Sequence, residues 1–79
     1  MIVKIFTIQK GLEEFENVQA IRIKSKDYNL LILKDYIPII GKLEGNLEIE
    51  VDNQKYLFSD ILAYYINEKN IFNVIIEGN

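Results

Sequence analysis

Residues 19–26 alternate cleanly: Ile21 and Ile23 fall on one parity, and Ala20, Arg22, Lys24 and Lys26 on the other. A period of two is the mark of a β-strand with one buried face, because successive side chains point to opposite sides of the sheet. Leu47, Ile49 and Val51 alternate in the same way with Asn46, Glu48, Glu50 and Asp52. One predicted strand therefore carries a cationic outer face and the other an anionic one. If the two are neighbours in one sheet, opposite charges pair across them and help to fix register. That pairing is the plain reading of both charge runs, against a binding patch.

Residues 30–45 read as strand, turn, strand. Two apolar runs flank the only proline, Pro38, and proline pushes the residue before it toward an extended conformation. A strand boundary or sheet edge is expected over residues 35–38, after which Ile39, Ile40 and Leu43 must return to the core. Turn signals at Lys10-Gly11, Lys26-Asp27, Gly45-Asn46, Asp52-Asn53 and Glu68-Lys69-Asn70 punctuate the chain at short intervals, as in a small all-β sandwich or flattened barrel. Two segments also fit a helix. Leu12, Phe15 and Val18 stand three apart, and Ser59 is a possible N-cap for a helix carrying Ile61, Leu62, Tyr65 and Ile66. Periodicity leaves both open, while the β-rich composition around Tyr64 and Tyr65 leans toward strand.

The first and last strands have apolar residues on both parities: Val3 and Ile5 beside Ile2, Phe6 and Ile8, and Phe72, Val74 and Ile76 beside Ile71 and Ile75. Either these strands are covered on both faces, or they expose a patch that a partner covers.

A chain of 79 residues holds one domain, residues 1–79, and 49% hydrophobic with 27% charged residues suits a compact fold. So short a chain buries only roughly 60% of the surface its unfolded form exposes, so the core is small. The absence of His and Cys removes imidazole bases, thiol nucleophiles and the usual zinc sites. Twelve acidic residues show no spacing of an EF-hand loop and no pairing in an apolar pocket. No catalytic, cofactor or metal site is therefore expected. A net charge of −3 without a basic cluster argues against nucleic acid. No apolar run approaches the roughly 20 residues that span a bilayer, and no signal peptide is visible, so an intracellular protein without membrane insertion is expected.

The segment Leu30-Leu-Ile-Leu-Lys-Asp-Tyr-Ile-Pro-Ile-Ile-Gly-Lys-Leu-Glu-Gly45 resembles the N-terminal β-sandwich domain of the epsilon subunit of F-type ATP synthases. In that family a strand ending in Ile-Leu meets a His-x-Pro-Leu turn and then a Leu-x-x-Gly strand. Phe15-Glu16-Asn17 followed by residues 18–23 looks like the family's aromatic-x-Gly turn and the strand after it. Lys55-Tyr-Leu-Phe-Ser59 and residues 71–76 sit where the family has its Ser-Gly-Gly hairpin and last strand. The order and spacing of these pieces carry the likeness over almost the whole chain.

The resemblance implies a mechanical role: a non-catalytic foot of the rotating central stalk, gripping the gamma subunit and resting on the c-subunits of the proton-transporting ring, hence cytoplasmic and peripheral to the inner face of the membrane. By matching positions, Gln9, Tyr36 and Gly41 fall where the family faces gamma, and Asp27, Tyr28 and Asn29 fall in the loop that approaches the ring. Each has a plain alternative: Tyr36 as a lid over the core, Asp27 as a solvated turn residue, Gly41 as a conformational glycine. The chain departs from the family at Tyr36 for its histidine, at Asn29 for a common glutamate, at Tyr28-Asn29-Leu30-Leu31 for a glycine-bearing turn, and at Asp60-Ile61 for a Gly-Gly pair. These departures imply a divergent member, such as an F1-like ATPase with an altered foot would carry. Gly78-Asn79 falls close to where the family's C-terminal helical pair begins, so neither the inhibition nor the ATP binding of those helices is expected. The other reading is a stand-alone adaptor that binds extended peptides at a sheet edge.

Overall fold

The computed structural model describes Met1–Gly78; Asn79 lies outside the described residues. Every regular element is a strand: β1 (Ile2–Thr7), β2 (Gly11–Phe15), β3 (Val18–Ser25), β4 (Asn29–Ile32), β5 (Ile39–Val51), β6 (Gln54–Glu68) and β7 (Ile71–Gly78). Both segments that also suited a helix are extended. Residues 12–20 split into β2 and β3 around Asn17, which takes a left-handed φ of 57°, and Ser59 lies inside β6 rather than at a helix start. β-Branched and aromatic side chains on a two-residue period outweigh the three-residue spacing there.

All seven strands hydrogen-bond into one mixed sheet of order β2-β1-β7-β6-β5-β3-β4. Its pairs are antiparallel except β1 with β7, where the amino-terminal strand lies parallel to the last. The two layers of the flattened barrel are halves of this one sheet, folded over where β5 and β6 bend together. Their register slips between Gly45 and Leu47, opposite Phe58 to Ile61. Thus the Gly45-Asn46 turn signal marks a corner within a 13-residue strand rather than a chain reversal. A side chain at Gly45, whose φ is 155°, would collide with the Lys24 carbonyl oxygen, so only glycine lets β3 approach the corner this closely. Across the corner Asp60 takes a left-handed φ of 55°, and its N–H donates to Asn46 Oδ1 at 3.1 Å. Asp tolerates that conformation, so the bend forms here without a glycine at residue 60.

The first half comprises β2, β1, β7 and residues 61–68 and 39–45 of β6 and β5. The second comprises β4, β3 and residues 46–51 and 54–58. Both halves feed one core, with Val3, Ile5, Leu43, Phe72 and Val74 from the first meeting Ile21, Ile23, Ile32, Leu47 and Ile49 from the second. Burying each large aliphatic or aromatic side chain contributes about 1.5–3 kcal/mol, and this is the main force closing the two halves. Ala20 is buried as well, although its parity set it on the outer face; it adjoins the bulge between Val18 and Ala20.

Polar and aromatic links tie the halves at their margins. The Met1 ammonium donates to Val18 O at 3.1 Å and the Val18 N–H to Met1 O at 2.9 Å. The rings of Phe15 and Tyr56 meet at 5.1 Å. Asp52-Asn53 and Lys69-Asn70 each have two consecutive positive φ angles, the type I′ turn that matches strand twist and closes two-residue hairpins.

Candidate functional site

The outer faces of the two halves differ. On the second half, β3 and β5 are neighbours, with Arg22 opposite Glu48, as the charge patterning requires. The Arg22 guanidinium donates to Glu48 Oε2 at 3.2 Å and to Glu50 Oε1 at 2.8 Å. Its pKa is raised above the ordinary arginine value, first by the hydrogen bond to Glu50. One guanidinium thus bridges two carboxylates at the middle of this face.

On the first half, cross-strand register places Leu12 beside Phe6, Phe6 beside Ile75 and Ile75 beside Tyr64. One step along the strands Ile66 stands opposite Ile40. The result is a continuous apolar row across β2, β1, β7, β6 and β5 on the face away from the core. It is uncovered: Ile40 is 80% exposed, Ile75 55% and Phe6 41%. The apolar surplus of β1 and β7 is thus a surface patch; both strands have neighbours on either side within the sheet, yet nothing lies over them. Monomers rarely expose contiguous apolar surface of this kind beyond a few hundred Å². Ile40, expected to return to the core with Ile39 and Leu43, is instead on the outward parity of β5, where only Leu43 of the three is fully buried. Tyr64 and Ile66 are the members that sequence reasoning missed, because residues 61–66 fitted a helical spacing equally well. Apolar residues on both parities of residues 61–66 are the signal that identifies them once the segment is extended.

The six positions that the resemblance singled out do not form one cluster. Gln9 is exposed in the turn between β1 and β2. Tyr36 is half-buried, packs on the core, and belongs to the connection 33–38, which is held at the far end of β1: the Asp35 N–H donates to Asn70 Oδ1 at 2.6 Å, and the Ile2 N–H to Asn70 O at 3.0 Å. Six residues of β1 at about 3.3 Å each separate those ends, so a partner touching both must run some 20 Å along the strands. Gly41 serves packing: a Cβ there would meet the ring of Tyr65, which lies across its backbone.

Asp27 and Tyr28 lie in the β3–β4 connection and Asn29 opens β4, but their side chains part. Asp27 and Asn29 are exposed, whereas Tyr28 packs against the core. Its hydroxyl donates to Lys42 O at 2.6 Å and lies 2.8 Å from the Tyr65 hydroxyl, which donates to it in turn. Burial and this hydrogen bond push the Tyr65 phenol well above the ordinary tyrosine pKa. The pair ties the connection to the first half of the sheet.

Among the described residues no group of three or more Asp or Glu side chains converges to hold a metal, and no helix is long and apolar enough to cross a membrane.

No family model matches this chain, and no curated protein does. Its fold does have a solved counterpart. A chain in the cryo-EM structure of the Tetrahymena thermophila mitochondrial ATP synthase, central stalk and c-ring, aligns with TM-score 0.73 and 23% sequence identity. The alignment covers 98% of this chain and 63% of that one, so the shared fold accounts for under two thirds of the Tetrahymena chain. At that identity the likeness is one of fold.

Proposed function

We propose that this chain is a non-catalytic structural subunit of a rotary ATPase central stalk, of the epsilon type, that seats on a gamma-like shaft subunit and links it to the membrane ring or its equivalent. The observation that carries the reading is the uncovered apolar row from Leu12 through Phe6 and Ile75 to Tyr64. A long apolar strip on a rigid sheet fits an elongated partner, and a close-packed core passes torque with little deformation. The fold shared with a chain of the Tetrahymena stalk and ring assembly supports this choice of partner. Gln9 and Tyr36, at opposite ends of β1, mark the two ends of the gamma contact, and the backbone at Gly41 adjoins it beside Ile40. The exposed Asp27 and Asn29 face the ring from a connection that Tyr28 holds in place. The location that follows is peripheral to the membrane through the assembly.

Affinity purification of the tagged chain from gently solubilised native membranes and cytosol, run beside an Ile75→Asp variant, tests the reading. Stoichiometric recovery of alpha-, beta- and gamma-like subunits with the native chain, and their loss with the variant, is expected. Equal recovery with both would place the contact elsewhere, and recovery of none would remove the stalk role. Tyr36→Asp tests the loop end of the contact and weakens association several-fold, since it places an unpaired charge in the interface. The edge strand β4 favours the second reading, a peptide-binding adaptor, because exposed Leu31 lies on it, exposed Leu33 follows it, and residues 29–33 carry no charge. Saturable binding of short extended peptides, with no ATPase subunit recovered, would select it.

A further inference from the structure

The gap between edge strand β2 and residues 54–58 is bridged at one end by the rings of Phe15 and Tyr56, and toward the β1–β2 turn it opens into a cleft of about 280 Å³. Phe58, Ile61 and Ile76 form its apolar wall. Ile61 and Ile76 are 6% and 8% exposed, the highest values in the core, so the core opens to solvent here. Glu13 stands on the rim. Register with Ile5 puts it on the inward parity of β2, as for Phe15, so it shares the core side of the sheet with the three apolar residues. Half-buried in that place, its carboxylate meets no cation within ion-pair distance among the described residues. It has lost hydration without gaining the counter-charge that would offset the loss.

From this juxtaposition we infer that the cleft receives a basic side chain of the stalk partner, with its aliphatic stem against Phe58, Ile61 and Ile76 and its cationic head at Glu13. Lysine and arginine are the side chains that divide in this way between stem and head. An inward charge on an edge strand opposes the addition of another strand, so the occupant comes as a side chain rather than as extended backbone. Leu12, next to Glu13, faces outward as the end of the apolar row. A partner lying on that row therefore has only to turn the edge of one strand to reach the cleft. Gln9, at one end of the gamma contact, lines the same cleft. Lys10 is the one cation on the rim; its backbone N–H donates to Thr7 Oγ1 at 3.1 Å, and its ammonium makes no ion pair among the described residues. The inference rests on the stalk reading for the identity of the partner, and the cleft's preference for a cation is testable apart from it.

Pentylammonium is the probe, with 1-pentanol as its neutral counterpart. Titration of each into the full ¹⁵N-labelled chain, followed by amide NMR shifts, is expected to move residues 7–13, 58–61 and 76. Pentylammonium should bind about fivefold tighter, as an ion pair at a partly exposed carboxylate allows, although pentanol is the more apolar of the two. The ratio should fall toward one in 0.5 M salt. Glu13→Gln keeps the shape of the side chain and should erase the preference while weakening stalk-partner binding about fivefold. Equal or weaker binding of pentylammonium, shifts centred elsewhere, or a preference that survives Glu13→Gln would overturn the inference. So would a preference that appears only in Lys10→Gln, since Lys10 would then fill the cleft itself. The wild-type ratio needs no variant, so it decides the matter even if Glu13→Gln does not fold. Unchanged partner binding by a Glu13→Gln chain that has lost the ammonium preference would remove the partner's side chain from the cleft. A purification that recovers no stalk subunits while pentylammonium keeps its advantage would sink the stalk reading and leave the cleft's cation preference standing.

Discussion

The two outer faces of this sheet are built from the same alternation and end in opposite states. On the second half Arg22 is gripped by Glu48 and Glu50, so the centre of the face is held by its own charges. On the first half Phe6, Ile75 and Tyr64 stand in register, with Ile66 one step along β6, and nothing lies over them. Because both faces belong to one hydrogen-bonded sheet, the difference cannot come from architecture. It comes from which residues occupy the outward parity, and an outward parity filled with isoleucine and phenylalanine contributes nothing to the core it faces away from. Such a face gains stability only when covered, by linkage to its partner.

The most damaging way to break the comparison is to remove the corner that creates two faces. Gly45→Val puts a side chain into the Lys24 carbonyl oxygen at a left-handed backbone position. Relief requires β3 to leave β5, and the expected loss is about 3 kcal/mol or more, read as a chemical-denaturation midpoint. An unchanged midpoint would mean that the corner is held by Asp60 and Asn46 without the glycine.

Next comes a change that separates the faces by function. Ile75→Asp lies at the centre of the apolar row and should weaken stalk-partner binding about thirtyfold or more, as loss of an interface anchor does, while free-chain stability moves by no more than about 1 kcal/mol. Leu57→Asp, an equally exposed apolar site on the charged half, should leave binding unchanged. If both substitutions act alike, the contrast between the faces has no functional meaning.

Much of this contrast was legible in the sequence, and the illegible part has a physical cause. Alternation in residues 19–26 and 46–52 led directly to the Arg22–Glu48 pairing, because period-two patterning specifies both face and neighbour when charges are opposite. The apolar surplus of β1 and β7 was equally visible, but its two outcomes differ only in whether something lies over the sheet, which is a tertiary fact. The row could not be completed across β6, since apolar residues on both parities of residues 61–66 satisfy a helix and a strand alike. Gly45 and Asn46 read as a turn, because a glycine pair position that bends a strand and one that reverses it share the same residue types. Of the resemblance-based positions, Tyr28 and Gly41 have packing partners that no local pattern announced: the Tyr65 hydroxyl for one and the Tyr65 ring for the other.

Tyr65 supplies a smaller effect at the seam between the halves. Its phenol titrates well above the ordinary tyrosine value in the folded chain because burial disfavours the phenolate and the bond to Tyr28 holds the proton. The raised folded pKa means that its stabilising contribution is complete below the unfolded pKa of about 10 and is lost as pH rises above it toward the folded value, at no more than about 1.4 kcal/mol per pH unit. Tyr65→Phe should flatten the alkaline limb of a stability-versus-pH curve. Tyr28→Phe should leave part of it, since burial, the larger cause, remains.

The smallest effect belongs to the charged face, and it sharpens the comparison by its weakness. Arg22→Met keeps the aliphatic stem over the sheet and removes the guanidinium, so any change reports the two ion pairs alone. The pairs stand at the surface, partly open to solvent, and such pairs are weak because water screens them and two long side chains must be held still. Melting temperature should fall by no more than about 4 °C at low ionic strength, and the difference from wild type should shrink in 0.5 M salt, where charges are screened within about 4 Å. Partner binding should not change at either salt concentration. A salt-sensitive loss of binding in this variant would move the interface to the second half of the sheet and leave the apolar row of the first half without its partner.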